Sequence, residues 1–321
     1  MIWPLEDGEY FGSKSLKGMV EAYPEQLKCI FPEKNSAALV KAKLDPNKVS
    51  VIVSGGAANG PLFSGYVGQG LADACIVGAP FAAPNAYSIY ESAKAVAGNK
   101  GLLLIYNNFA GDYLNNDMAK ELLEMEAYTV ESVVSHDDIA TAVNEAREER
   151  NGRSGCALLI KLAGMASENK LPLKPLSDLL HEAEARMGTL SMVIDPEAGT
   201  VSWGSGFSGE PGFASCPLKA EGRREAVERS LDTLLEDLCP REDEEFFLLL
   251  NHYRLTSYAD AYITAGLAAN YLRQHGRLAC IRVGIYSNIA DVYGFGFSLM
   301  CMQPDWEKYL LPEVHGAGLT I

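Results

Sequence analysis

Lys48–Gly70 reads KVSVIVSGGAANGPLFSGYVGQG. Val49, Val51, Ile52 and Val53 are a β-branched run that predicts a buried strand. The run breaks into Ser54-Gly55-Gly56-Ala57-Ala58-Asn59-Gly60-Pro61, too rich in glycine and proline to continue as strand or helix. Small residues there let backbone N–H groups approach a ligand. A loop at the carboxyl end of a buried strand is also where open α/β sheets bind ligands. This loop contains no His, Cys, Lys, Asp or Glu. Its own chemistry is therefore hydrogen bonding, not proton transfer.

Outward from this stretch, strand and helix patterns alternate. Ser13–Leu27 predicts a short helix ended near Pro24. Tyr66–Ala72 is expected to enter a helix. Cys75–Ala79 is a short apolar run, and Asn85 is placed to cap a helix over Ala86–Ala97. Gly101–Tyr106 predicts a second buried strand, ending in Asn107-Asn108-Phe109-Ala110-Gly111-Asp112. Asn116 or Asp117 is expected to cap the next helix, and Tyr128–Val134 reads as a strand. Ala140–Arg150 is charged and helical in pattern, and Leu176–Met187 is amphipathic. Later strands are expected at Ser191–Asp195, Phe246–Leu250, Leu278–Tyr286 and Phe295–Met302, with helices at Arg223–Leu238 and Ser257–His275. The alternation means an α/β fold. A boundary near residue 187 divides the chain into 1–187, holding the glycine loop, and 188–321.

The 321 residues suffice for two domains, and 48% of them are hydrophobic. Lys and Arg number 27 against 42 Asp and Glu, a net charge of 27 − 42 = −15. Such a surface repels nucleic acid and anionic lipid. No apolar run approaches the ~18 residues of a membrane span. The N-terminus MIWPLEDGEY has no basic and apolar signal-peptide pattern. Seven scattered cysteines, with no CxxC or CxxH spacing, fit reduced thiols and a cytoplasmic setting.

Candidate chemistry is sparse. Asp112 follows a strand and a glycine, in a loop with Asn107. Such a carboxylate can act as a general base, bind a hydroxyl, or cap a turn or helix. Gly204–Gly212, GSGFSGEPG, has neither the GxGxxG-then-helix pattern nor the Gly-Lys-Ser/Thr of a phosphate loop. Ser208 within it is not in a G-x-S-x-G elbow, because position 210 is Glu. The five histidines show no i,i+3 or i,i+4 pairing, so a metal site built from them is not expected. His136 and His252, each at a strand end, are the most site-like of them or else plain loop residues.

The motif order carries more than any single motif. Ser54-Gly55-Gly56…Pro61…Ser64-Gly65-Tyr66-Val67-Gly68-Gln69-Gly70 is followed by Asn108–Asn115, NFAGDYLN, and then Asp137-Asp138-Ile139-Ala140. Gly152-Arg153-Ser154-Gly155, Gly209-Glu210-Pro211-Gly212, Asn251–Thr264 and Gly294–Leu299 complete it. This order resembles the substrate-binding subunit of dihydroxyacetone (glycerone) kinase, from about residue 10 to the end. The resemblance implies two α/β domains, each a mixed β-sheet flanked by helices, a homodimer, and a small keto-triose as ligand. It also implies that no cofactor is bound by this chain. ATP or another phosphoryl donor would come with a partner, a nucleotide-binding kinase subunit.

The resemblance also fixes which positions matter. In the family the glycine loop carries one His near Asn59 and a second where Phe63 stands. A Lys stands at Asn107, and at Ser208 a His that attacks the substrate ketone. Here only the acid, Asp112, is kept. An imidazole adds to a ketone through a free lone pair and exchanges its proton near neutral pH; a lone serine hydroxyl does neither well. Losing one general acid or base costs about 10²- to 10⁴-fold in rate. The expectation is a pseudoenzyme-like, non-catalytic or regulatory binder of a small polyol or carbonyl compound, with a transcription regulator as its partner. Gly55, Gly56, Asn59, Phe63, Asn107, Asp112 and Ser208 are its expected ligand-binding residues. The alternatives are a working kinase subunit with Asp112 as base, and a vestigial pocket on a protein that acts through partner contacts.

Overall fold

The structure, a computed structural model, describes residues 10–31, 36–206, 210–218, 222–289 and 292–321. Two compact units share the chain: 1–135 with 156–182 and 312–321, and 136–155 with 183–311. The sequence suggests one cut at 187/188, whereas these segments interleave. The cause is local. The Asp137 carboxylate accepts the N–H groups of Arg153 at 2.6 Å and Gly155 at 2.8 Å. The Asp137 carbonyl accepts from Thr189 N–H. These bonds tie the 136–155 excursion to the strand that contains Thr189.

The first unit opens with α1 (Phe11–Ala22), β1 (Leu27–Ile30), β2 (Ala38–Lys41), β3 (Ser50–Gly55) and β4 (Ala74–Val77). It continues with α2 (Ala86–Val96), β5 (Leu102–Asn107), α3 (Ala110–Met125), β6 (Val130–Ser135), α4 (Cys156–Glu168) and α5 (Leu173–Ala185), whose last three residues fall in the second unit. Its sheet has the order β1-β2-β4-β3-β5-β6. The β1/β2 and β2/β4 pairs are antiparallel; β4/β3, β3/β5 and β5/β6 are parallel. All six residues of β3 and of β5 are buried, as expected of parallel strands covered on both faces. Ile52, Leu102, Leu104 and Tyr106 pack with Ile89, Ala93, Ala119 and Leu123 of α2 and α3. α4, buried along most of its length, packs against β3 and β5.

The second unit contains β7 (Met187–Asp195), β8 (Thr200–Trp203), β9 (Ala214–Pro217), α6 (Gly222–Leu238) and β10 (Glu245–His252). α7 (Tyr258–Leu272), β11 (Arg277–Gly284), β12 (Tyr293–Met302) and the short α8 (Glu307–Leu310) follow. Its sheet order is β11-β10-β12-β7-β8-β9, with only β10/β11 parallel. Leu190, Met192, Phe246, Leu248, Phe297 and Leu299 form a core with Val227, Leu231, Leu234, Ala261 and Ala268 of α6 and α7. The chain then closes the first unit with the small hairpin β13 (His315–Gly316) and β14 (Leu319–Thr320). Both sheets are thus mixed and flanked by helices, as expected.

Three local readings differ. Tyr66–Ala72 is not a helix: Gly70 has φ +73°, Val67 bridges Ala72, and Gly68 N–H donates to Ala72 C=O at 3.1 Å. A Cβ at Gly70 would meet Met165 and Val314 at 2.7 Å, so the tight turn needs glycine. Ala140–Arg150 is a broken 3₁₀ segment over Asn144–Glu149, interrupted at Ala146. Its charges serve tertiary pairs: Arg150 bridges Asp237, and Arg147 reaches Glu184 at 3.2 Å. Finally, α3 begins at Ala110, so Asn116 and Asp117 both lie inside the helix and neither caps its start.

One buried ion cluster pins the first sheet. Asp73 accepts from Lys48 Nζ at 2.6 Å and from Val51 N–H at 2.9 Å through one oxygen, and Lys41 Nζ lies 2.9 Å from the other. Lys48 Nζ also reaches Ser167 Oγ of α4 at 3.3 Å. Removing one partner of a buried pair strands the other. Lys48→Met is expected to cost about 3–5 kcal/mol in urea unfolding. A loss below ~1 kcal/mol would show that Lys41 alone compensates Asp73.

Candidate functional site

β3 and β5 are adjacent parallel strands whose outgoing connections run in opposite directions across the sheet. Their carboxyl ends therefore flank a topological switch point, the crevice where open α/β sheets take ligands. The glycine loop leaves β3 there. The Asn108-Phe109 link from β5 to α3 leaves beside it.

The glycine loop is less open than its composition suggests. Phe63 is buried, and its ring lies against Gly55: a Cβ on Gly55 would sit 2.1 Å from Phe63 Cε2. A Cβ on Gly56 would lie 3.2–3.3 Å from the backbone of Ala82 and Phe81. The missing side chains of both glycines are thus used by the protein's own packing. Asn59 is half-buried at the end of the 3₁₀ turn Ala57–Asn59. Ser208 lies outside the described residues.

Asn107 ends β5 and Asp112 lies in the first turn of α3; both are buried. Asn116, one turn further, holds this start in place. Its Nδ2 donates to the Asp112 carbonyl at 2.8 Å, and its Oδ1 accepts from Ser54 Oγ of β3 at 3.0 Å. Sequence reading offered Asn116 or Asp117 as a cap and missed this positioning role of Asn116. The available signal was its spacing of four from Asp112, which puts both on one helix face.

Asp112 Oδ1 and Asn107 Oδ1 are buried without a hydrogen-bond partner among the described residues. Burial pushes the Asp112 carboxyl up to about 7. The start of a helix favours a carboxylate by a fraction of a kcal/mol, so desolvation outweighs it here. Two unpaired acceptors call for donors, and hydroxyl groups supply them. A carboxyl that titrates near neutrality is also matched to take a proton from a hydroxyl.

The other sequence candidates belong to the second unit. His136 Nδ1 is 3.7 Å from Glu184. His252 is buried at the end of β10 with its ring edge-on to Tyr258 at 4.7 Å. Asp138 pairs with Arg153 at 3.1 Å, within the bonds that hold the 136–155 excursion. Among the described residues, no group of three or more His, Cys, Asp or Glu is placed to hold a metal ion, and no helix is long and apolar enough to cross a membrane.

The Dak1 domain profile matches residues 17–317. The chain belongs to the Dak1 domain family. It is 28% identical over 321 residues to the dihydroxyacetone-binding subunit DhaK of the PTS-dependent dihydroxyacetone kinase 2 of Listeria innocua, covering 95% of each chain. It is 32% identical over 311 residues to a putative 3,4-dihydroxy-2-butanone kinase of Solanum lycopersicum, spanning 89% of this chain and 51% of that protein. Among solved structures, the dihydroxyacetone kinase of C. freundii in complex with AMP-PNP and Mg2+ superposes with a TM-score of 0.87 at 25% identity. That match covers 98% of this chain and 60% of that one. The similarity to the Listeria DhaK chain runs over nearly the whole of both proteins.

The raised Asp112 pKa has a direct consequence for stability. The folded state holds the proton up to about pH 7, whereas an unfolded Asp releases it near pH 4. Asp112 thus costs nothing at low pH, and stability is lost as pH rises through that window. Asp112→Asn removes the penalty. It should match the wild type near pH 4 and exceed it above pH 7 by on the order of 4 kcal/mol at most. Denaturant unfolding from pH 4 to 8 reads the difference; a flat difference would place Asp112 in contact with water.

Proposed function

We propose that the β3/β5 crevice of the first unit binds a small polyhydroxy or keto compound of three or four carbons. Two buried acceptors without a hydrogen-bond partner among the described residues, Asp112 Oδ1 and Asn107 Oδ1, carry this reading. A ligand hydroxyl donated to each would satisfy both. The substrates named for its relatives, dihydroxyacetone and 3,4-dihydroxy-2-butanone, are of this chemistry and size.

The ligand is held reversibly, and the chain serves as a non-catalytic or regulatory binder in the cytoplasm. Asn59, Phe63 and Asn107 cannot exchange a proton near neutral pH. Phe63 fills its place against Gly55 with a ring that carries no nitrogen. The chain works as a homodimer, with a transcription regulator as partner for such a sensor. A second reading is favoured by one observation, the Asp112 pKa near 7. In it the chain is the substrate-binding subunit of a working kinase, Asp112 is the base on the substrate hydroxyl, and a nucleotide-binding partner subunit supplies the phosphoryl group.

Thermal unfolding with dihydroxyacetone, erythrulose and glycerol tests the site. A binder at a hundred times its Kd stabilises by about 2.7 kcal/mol. At least one compound should raise the wild-type Tm, and Asp112→Ala should abolish that shift. If no compound acts, or Asp112→Ala keeps the shift, the site is wrong. Carbonyl-¹³C dihydroxyacetone then separates covalent from reversible holding: a retained ketone resonance supports reversible binding, and a tetrahedral carbon overturns it.

A further inference from the structure

The polar groups that the β3/β5 crevice leaves unmet are of one kind. Asp112 Oδ1 and Asn107 Oδ1 are both acceptors, buried and without a hydrogen-bond partner among the described residues. The side chains that could donate beside them are already engaged. Ser54 Oγ donates to Asn116 Oδ1 at 3.0 Å, and Asn116 Nδ2 donates to the Asp112 carbonyl at 2.8 Å. Asp112 keeps 8% of its surface exposed, so it stands in the crevice wall and not in the closed core.

The carboxylate also has no counter-charge. Among the described residues, no Lys, Arg or His pairs with Asp112, and burial pushes its carboxyl up to about 7 with no cation drawing it back. The lysines of the first unit are held elsewhere: Lys41 and Lys48 by Asp73, Lys94 by Glu126, and Lys120 of α3 lies 3.9 Å from Glu124. The start of α3 adds acid and no base. From Ala110 to Ala119 the charged residues are Asp112 and Asp117.

Ligand groups differ in how they meet such a pair. A ketone oxygen accepts from a protonated Asp112 but leaves Asn107 Oδ1 unmet. A hydroxyl brings one donor and no charge. An ammonium brings three donors, no acceptor and the missing positive charge. Charge-assisted hydrogen bonds are also roughly twice as strong as neutral ones.

We infer that the ligand of this crevice is a small polyhydroxy amine of three or four carbons, its primary ammonium group paired with the Asp112 carboxylate and a further donor of the same molecule placed on Asn107 Oδ1. The inference rests on the crevice reading above and narrows its ligand class. The chain's net charge of −15 raises the local concentration of such a cation and does nothing for a neutral sugar. Pairing favours the ionised carboxyl, so binding near neutral pH displaces the Asp112 proton and affinity follows pH.

Isothermal titration calorimetry on the full chain tests this with 2-amino-1,3-propanediol and 3-amino-1,2-propanediol against glycerol and dihydroxyacetone, all at equal ionic strength. At pH 8 Asp112 is ionised and the amines are still largely protonated. At least one amine should then bind about tenfold more tightly than glycerol. Its affinity should fall about tenfold from pH 8 to pH 6, as a carboxyl at about 7 takes up its proton. Dihydroxyacetone should not share that fall. Asp112→Asn should abolish both the preference and its pH dependence; the wild-type pH profile decides the matter should that variant misfold. Glycerol or dihydroxyacetone binding through Asp112 as tightly as the amines would overturn the amine and leave the crevice standing. A preference for amines that survives Asp112→Asn would belong to the negative surface at large and overturn the inference. Binding by none of the four would overturn the crevice reading along with it.

Discussion

The first unit depends on a carboxylate that water does not reach. Asp73 gathers the ammonium groups of Lys41 and Lys48 and the Val51 N–H, and Lys48 in turn touches Ser167 of α4. These partners come from β2, from the entry to β3, from β3 itself and from a helix more than ninety positions along the chain. A charge so buried is tolerable only when paired from several sides. The cluster therefore specifies which strand edge meets which helix. With β3 fixed this way, its apolar side chains are covered on both faces and its last residues are delivered to the switch point. The glycine loop has a defined origin because Asp73 does.

At that switch point the usual logic of an amphipathic helix is reversed. The first turns of α3 bury Asp112 and Asn116 and expose Tyr113, Leu114 and Met118. Asn116 repays its burial with bonds to the Asp112 carbonyl and to Ser54, so it positions as well as fills. Asp112 does not: one oxygen has no hydrogen-bond partner among the described residues, and its proton is held to about pH 7. Local destabilisation of this kind is what a binding site retains and a merely structural position loses. It marks Asp112 more clearly than its place in the sequence does.

Much of the fold was legible in the residues. The β-branched run before Gly55, the Asn85 cap and the Gly101–Tyr106 run each became the element expected, because burial on both faces and side-chain capping are written locally. Asn85 Oδ1 does accept from Ser88 N–H at 2.9 Å. The misreadings share one cause. Tyr66–Ala72, Ala140–Arg150 and the start of α3 are decided by partners far along the chain: Val314 and Met165 crowding Gly70, Asp237 and Glu184 drawing out two arginines, Ser54 holding Asn116. Local propensity has no access to those partners. The same holds for the site. Asp112 could be singled out from its strand-end context, but its lack of a partner among the described residues and its raised pKa belong to the folded environment alone.

Glycine shows the difference in its sharpest form. The sequence suggests that Gly55 and Gly56 are small so that a ligand can approach. In the fold their open sides are taken by Phe63 and by the Phe81-Ala82 backbone, so internal packing already accounts for both. The β3/β5 crevice is therefore marked by acceptors left without donors among the described residues, not by its glycines.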